Sequence, residues 1–164
     1  MEISSLYGEL VVDAGTQVKF TVTPDDVSSG QPRLSRDCPG NHGLCRVMKS
    51  AIPKIDFNDI RMHLSRTYVR MPAAMAGEKF GAKVPPAEAG HFVWLRFSNA
   101  PSLREQVYSM DTHQKFEPGE YLLSIPRPAP KRHMSKENRA KIARSMRGTR
   151  QRSLNGVRKW GVNR

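Results

Sequence analysis

The chain has 164 residues and a formal net charge of +12, from 27 Lys or Arg against 15 Asp or Glu. That length suits one compact domain with an appendage, and a hydrophobic content of 38% supports a modest core and excludes wholesale disorder. No apolar run approaches the ~20 residues of a membrane span. MEISSLYGELVV lacks the order of a signal peptide, and two cysteines cannot build a disulfide scaffold, so the expectation is a reduced, cytoplasmic protein with no membrane partner.

ELVVDAGTQVKFTV reads as two strands joined in a hairpin around Ala14-Gly15-Thr16, with Val18, Phe20 and Val22 on one face at period two. TPDDVSSG predicts a short helix, in which Thr23 caps, Pro24 takes the first position, and Asp25 and Asp26 sit at the positive end. Gly30 stops it. Cys38-Pro39 opens a second helix whose buried stripe is Leu44, Val47, Met48 and Ala51. Gly40 and Gly43 weaken its first turn, which moves the expected regular start toward Leu44.

DFNDIRMHLSRTYVRM fits either periodicity, and its Thr-Tyr-Val content favours strand. Residues 72–90, rich in Ala, Gly and Pro, read as a long loop. HFVWLRF is a core strand. NAPSLREQVYSM is a helix with Asn99 as its cap and Leu103, Val107 and Met110 on one face, and EYLLSI is the last strand. Strands and helices without a regular βαβ repeat predict an α+β fold. The expected organisation is a body over 1–125, a Pro-rich linker over 126–130 and a basic arm over 131–164.

Charge divides along the same boundary. Residues 131–164 carry 12 of the 27 basic residues and only one acid, Glu137, so the body is close to neutral and the arm carries the field. Such a block attracts polyanions. Lys131, Arg132, Lys136, Arg139, Lys141, Arg144, Arg147, Arg150, Arg152, Arg158 and Lys159 are the expected nucleic-acid contacts. Arginine predominates, and its fork suits phosphate. Trp160 either stacks on a base or anchors the arm to the body. Ser135 can cap a helix through RAKIARSMR, whose apolar stripe of Ile142 and Met146 is too thin for a core of its own.

Other constellations are weaker. Cys38, His42 and Cys45 have a spacing that invites a metal, yet zinc wants four ligands and no second ligand pair follows. The expectation is therefore two buried thiols beside an exposed His42, with no metal and no cofactor. GEKFGAKV misses the phosphate-loop spacing by one residue and lacks the Ser or Thr after Lys83. His91, Asp111 and His113 form no local catalytic motif, and Asp56 and Asp59 read as cap or surface carboxylates. The absence of a catalytic signature tilts the reading away from an enzyme; an active site on the 72–90 loop is the third and weakest alternative.

Residues 133–153, HMSKENRAKIARSMRGTRQRS, resemble the nuclease-associated modular helix of phage homing endonucleases, through Ser135, Glu137, Arg139, Ala140, Lys141, Ile142, Met146 and Gly148. The resemblance implies a non-catalytic segment lying on DNA. The body is similar to small uncharacterised phage proteins at VTPDDVSSG, Cys38-Pro39, APSLREQVYSMD and FEPGEYLLSIP, although Gly40-Asn41-His42-Gly43 stand where those proteins carry small apolar residues. Together these imply a phage-type accessory protein whose arm grips a phosphate backbone. Residue types leave DNA and RNA both open, and the modular-helix likeness favours DNA. The alternative is an interaction factor that modulates a host transcription or translation complex, with the arm docked on acidic protein or structural RNA.

Overall fold

The structure, a computed structural model, describes residues 5–128. It is an α+β fold in which one mixed seven-stranded sheet carries its helices on a single face. In chain order the elements are β1 (Ser5–Leu6), β2 (Glu9–Asp13), β3 (Val18–Val22), α1 (Pro24–Ser29) and α2 (Pro39–Met48). Next come β4 (Ile60–Met62), β5 (Arg66–Pro72), α3 (Ala73–Phe80), β6 (Phe92–Asn99), α4 (Pro101–His113) and β7 (Gly119–Ser124). The arm over 131–164, and the last residues of the expected linker, lie outside the described residues.

The sheet runs β1-β2-β6-β5-β4, with β7 joining β6 to β3. β5 covers one edge of β6 from Pro72↔Phe92 to Arg66↔Ser98. On the other edge β2 runs parallel opposite residues 94–96, and β7 takes over antiparallel at Ser98 and Asn99. The expected β2–β3 hairpin does not form. β3 pairs with β7 instead, because the Ala14 N–H donates to Arg96 O at 3.0 Å and the Gly15 N–H to Phe80 O at 2.8 Å, which fixes the chain against β6 and α3 rather than letting it fold back.

Period two puts Val93, Leu95 and Phe97 of β6, Thr67, Val69 and Met71 of β5, and Ile60 and Met62 of β4 on one face. The apolar members of this set form the core with Leu44 and Met48 of α2, Ala73, Ala76 and Phe80 of α3, and Leu103, Val107 and Met110 of α4. Val18, Phe20 and Val22 join it as their alternation predicts. Segment 57–72 is strand in its greater part, after one 3-10 turn over Phe57–Asp59. Asp56 and Asp59 are cap groups there, each accepting from backbone of the other's end of the turn. Leu64 lies in the exposed β4–β5 turn and not on the strand face.

Three local expectations are corrected. Residues 73–80 are helix, not loop: Ala73, Ala76 and Phe80 recur at helical spacing, and Gly81 at φ 62° ends α3 in the left-handed conformation glycine favours. α2 begins at Pro39, ahead of both glycines. Asn99 does not cap α4, whose N-cap is Ala100 without a side-chain bond. Its side chain instead accepts from Thr67 Oγ1 at 2.7 Å and donates to His63 O at 2.7 Å, tying the β4–β5 turn to β6.

The α1 cap is stronger than its sequence suggests. The Thr23 N–H donates to Asp26 Oδ2 at 2.7 Å, while the Asp26 N–H donates to Thr23 Oγ1 at 3.3 Å. From α2, Arg46 donates to both carboxylate oxygens of Asp26, at 2.9 and 2.7 Å, and to Thr21 O at 2.9 Å. Burial alone would raise the Asp26 carboxyl, yet the bonds from Arg46 and Thr23 outweigh it and bring the pKa from 3.8 to about 2. A depressed carboxylate pKa contributes stability above 3.8 that is lost as pH falls through 2, on the order of 2 kcal/mol. Asp26→Asn is therefore expected to lower stability at neutral pH by about that amount and to flatten its decline between pH 4 and 2, as read by urea denaturation across that range.

Glycine at 43 answers a packing need. A Cβ there would stand 2.6 Å from Thr21 O, a backbone atom of β3 that cannot rotate away. At Gly40 the nearest atom is the flexible Sδ of Met62. Helix propensity alone predicts that Gly43→Ala gains ~1 kcal/mol. The contact reverses the sign, and a net loss of about 1–3 kcal/mol is expected in chemical denaturation, with Gly40→Ala costing less.

Candidate functional site

The opposite face of the sheet is where unexpected chemistry collects. The buried apolar side chains of the described helices all belong to the core on the other side. Registers assemble this face in rows. Arg61 of β4, Tyr68 of β5, Arg96 of β6 and Asp13 of β2 lie abreast. Arg70, Trp94 and Val11 form the next row, and Arg66, Ser98 and Ser124 a third. Trp94 and Tyr68 are only 2% and 4% exposed, yet neither belongs to the hydrophobic core cluster.

Rings and guanidinium groups interleave here. The Tyr7 ring lies 5.8 Å from that of Trp94, and the Arg61 guanidinium sits 5.7 Å from the first and 5.6 Å from the second. Arg61 Nη1 also donates to the carbonyls of Asn58 and Ile60, at 2.8 Å each. Arg70 stacks on Phe92 with its guanidinium carbon 4.2 Å from the ring centre. These distances are within the reach of cation–π attraction.

Glu9, Asp59 and Asp13 are engaged on this side, whereas Glu120 of β7 shares the face and is exposed. Arg70 Nε donates to Glu9 Oε2 at 2.7 Å, and its Nη2 reaches Oε1. Asp59 stands 3.8 Å from Arg70. The hydrogen bonds from Arg70 hold the Glu9 carboxyl below its ordinary range, against the opposing effect of burial. Arg96, 6% exposed, pairs with Asp13. Arg61 and Arg66 have no carboxylate partner among the described residues, and Arg66 Nη1 is buried with no hydrogen-bond acceptor. Two arginines on this face thus stand without a carboxylate partner, together with two exposed rings, since Tyr7 is 74% and Phe92 46% exposed. Such an arrangement offers hydrogen-bond donors and ring faces together.

A cleft of about 470 Å³ opens at its margin, between Ile52, Pro53 and Ile55 on one side and Arg70, Asp59 and Phe92 on the other.

The residues expected to contact nucleic acid, from Lys131 to Trp160, lie outside the described residues. Cys38 and Cys45 are buried free thiols as expected. Burial pushes Cys38 up to about 11 and also raises Cys45. His42 is half-buried rather than exposed: its Nε2 is 2.8 Å from Asp37 Oδ1, and its ring rests 4.5 Å from that of Phe57. Among the described residues no group of three or more His, Cys, Asp or Glu could hold a metal ion. His91 and His113 are exposed, Asp111 accepts from the Arg33 N–H at 2.8 Å, and Gly77–Gly81 is the end of α3 rather than a phosphate loop. No described helix is long and apolar enough to cross a membrane.

The arginine-and-ring face was missed because its signal is spread over strands. Arg66-x-Tyr68-x-Arg70 and Trp94-x-Arg96 carry it at period two, inside runs that read simply as buried. Comparison with family models, curated proteins and solved structures returns no match for the chain.

A thiol whose pKa is about 11 is almost wholly protonated at neutral pH. Ellman's reagent at pH 7.5 should therefore label native Cys38 at least a hundred-fold more slowly than the chain unfolded in urea. Labelling at the unfolded rate would show that α2 opens readily.

Proposed function

We propose that the protein is a nucleic-acid-binding accessory factor of phage type, whose 131–164 segment grips the phosphate backbone. The observation that carries this reading is the segregation of charge: 12 of 27 basic residues and one of 15 acids fall in those 34 positions. A single-sign block of arginines gains affinity by releasing counterions from phosphate. The arginine and aromatic side chains on the sheet supply a compatible surface, since guanidinium groups and rings serve phosphate and base alike.

Side chains suited to reading base edges are few in the arm, Asn138, Gln151 and Asn155, so binding is expected to depend little on sequence. If half the cations each neutralise a phosphate, log affinity falls with log salt at a slope of roughly −4 to −6. Replacing Arg139, Arg144 and Arg147 together by Ala should flatten that slope by about three units on any sequence. Fluorescence anisotropy titrations between 50 and 300 mM salt check both expectations. An affinity that barely changes with salt overturns the mechanism. Retention of an acidic protein surface, with neither DNA nor RNA bound, would instead identify the arm as a protein-docking element.

A further inference from the structure

We propose that the sheet face carrying Tyr7, Arg61, Arg66 and Phe92 is a second nucleic-acid contact, one that takes unpaired bases. This rests on the reading of the chain as a nucleic-acid binder and adds to it where single strands are held. Tyr7 and Phe92 are the ring platforms; Arg61 and Arg66 are the phosphate contacts.

Tyr7 is the first observation. It stands with Gly8 in the two-residue turn between β1 and β2, and both have positive φ, 51° and 82°, as a tight primed turn requires. A bulky residue is costly in that conformation, and Asn or Gly is the usual solution. Tyrosine instead lifts a 74% exposed ring above the sheet, steadied from beneath by Trp94 and Arg61. Phe92 presents a second half-exposed ring at the start of β6, with Arg70 stacked on it.

Arg66 is the second, independent observation. Its Nη1 is buried without an acceptor, and a guanidinium N–H left unpaired away from water is costly. A phosphate at the half-buried guanidinium would offset the charge that no carboxylate balances. Glu9 and Asp59 are committed to Arg70 and Asp13 to Arg96, so those three carboxylates do not compensate it. Arg61 and Arg66 are therefore left without a carboxylate partner among the described residues, which suits them to phosphate.

The two observations select the form of the polymer. Rings standing on a sheet stack on splayed bases, whereas paired bases keep their faces inside the duplex. An acidic peptide would use the arginines but gain nothing specific from two exposed rings.

The test uses the full chain and anisotropy with oligo(dT) and oligo(U) of about 20 nucleotides, a 20-base-pair duplex and a poly-glutamate peptide. Tyr7→Asn keeps a residue that tolerates positive φ, and Phe92→Gln keeps side-chain bulk. Each should weaken single-strand binding by about ten-fold or more. Duplex affinity and the salt slope should stay unchanged, because no charge is lost. Arg66→Gln should flatten the single-strand salt slope by about one unit. Tyr7→Phe should bind as the parent does, and unchanged melting temperatures establish that the variants are folded. If the ring variants hold single strands as tightly as the parent while the arm variants lose them, this inference falls and the arm reading stands. If the parent binds no oligonucleotide, the functional reading itself falls. If the face variants lose only poly-glutamate, the surface is a protein-docking site and the inference is overturned.

Discussion

The rest of the sheet depends on the pairing of β6, which is engaged on both edges. β5 holds one edge over seven residues, while β2 and β7 divide the other. A strand enclosed this way can keep only one register, because a slip of one residue would exchange its faces. Val93, Leu95 and Phe97, all with no exposure, would then leave the core, and Trp94 and Arg96 would enter it. Burying an unpaired guanidinium costs far more than any strand contact returns. The alternation of rings and arginines on one side and aliphatic groups on the other is thus a consequence of the register as well as a cause of it.

The helices meet this sheet through close backbone approaches. Gly43 brings α2 against Thr21 of β3, and Gly15 lies so near Gly81 that a Cβ would overlap its carbonyl oxygen. The second contact explains how α3 returns the chain to the end of β2, where Gly15 donates to Phe80 O. Arg46 adds a directional tie, since one guanidinium spans the cap of α1 and the carbonyl of Thr21. These contacts act between elements far apart in sequence, so they fix relative placement rather than local conformation.

That distinction explains what could be read from the sequence. The Thr23–Asp26 capping box, the helical stripe of Leu103, Val107 and Met110, and the extended run of β6 are local patterns with local causes. The pairing of β3 with β7 is a non-local choice, and the adjacency of β2 and β3 in sequence made a hairpin the natural expectation. Composition misled at α3, because Ala73, Ala76 and Phe80 carried a helical period inside a segment that Gly and Pro marked as loop. The arginine-and-ring face needed two registers at once. Arg61, Tyr68, Trp94 and Arg66 become neighbours only when β4, β5 and β6 are aligned. The metal-like spacing of Cys38, His42 and Cys45 has the opposite lesson, since both thiols turn into the core while His42 turns to Asp37.

The balance of energies at Tyr7 bears on what this face is for. Left-handed backbone costs a non-glycine residue about 1–2 kcal/mol. A ring pair with Trp94 and a guanidinium from Arg61 return about 0.5–1.5 and 0.5–1 kcal/mol. The two sides nearly cancel, so the ring holds its raised position without help from a ligand. Asparagine at position 7 would relieve the turn but leave Arg61 and Trp94 with one ring fewer between them and solvent. A strained residue that is merely self-supporting contributes little to stability in either direction. What it does contribute is an aromatic plane fixed in advance, and under the proposed single-strand role such a platform would spare a stacking base the entropy of ordering it.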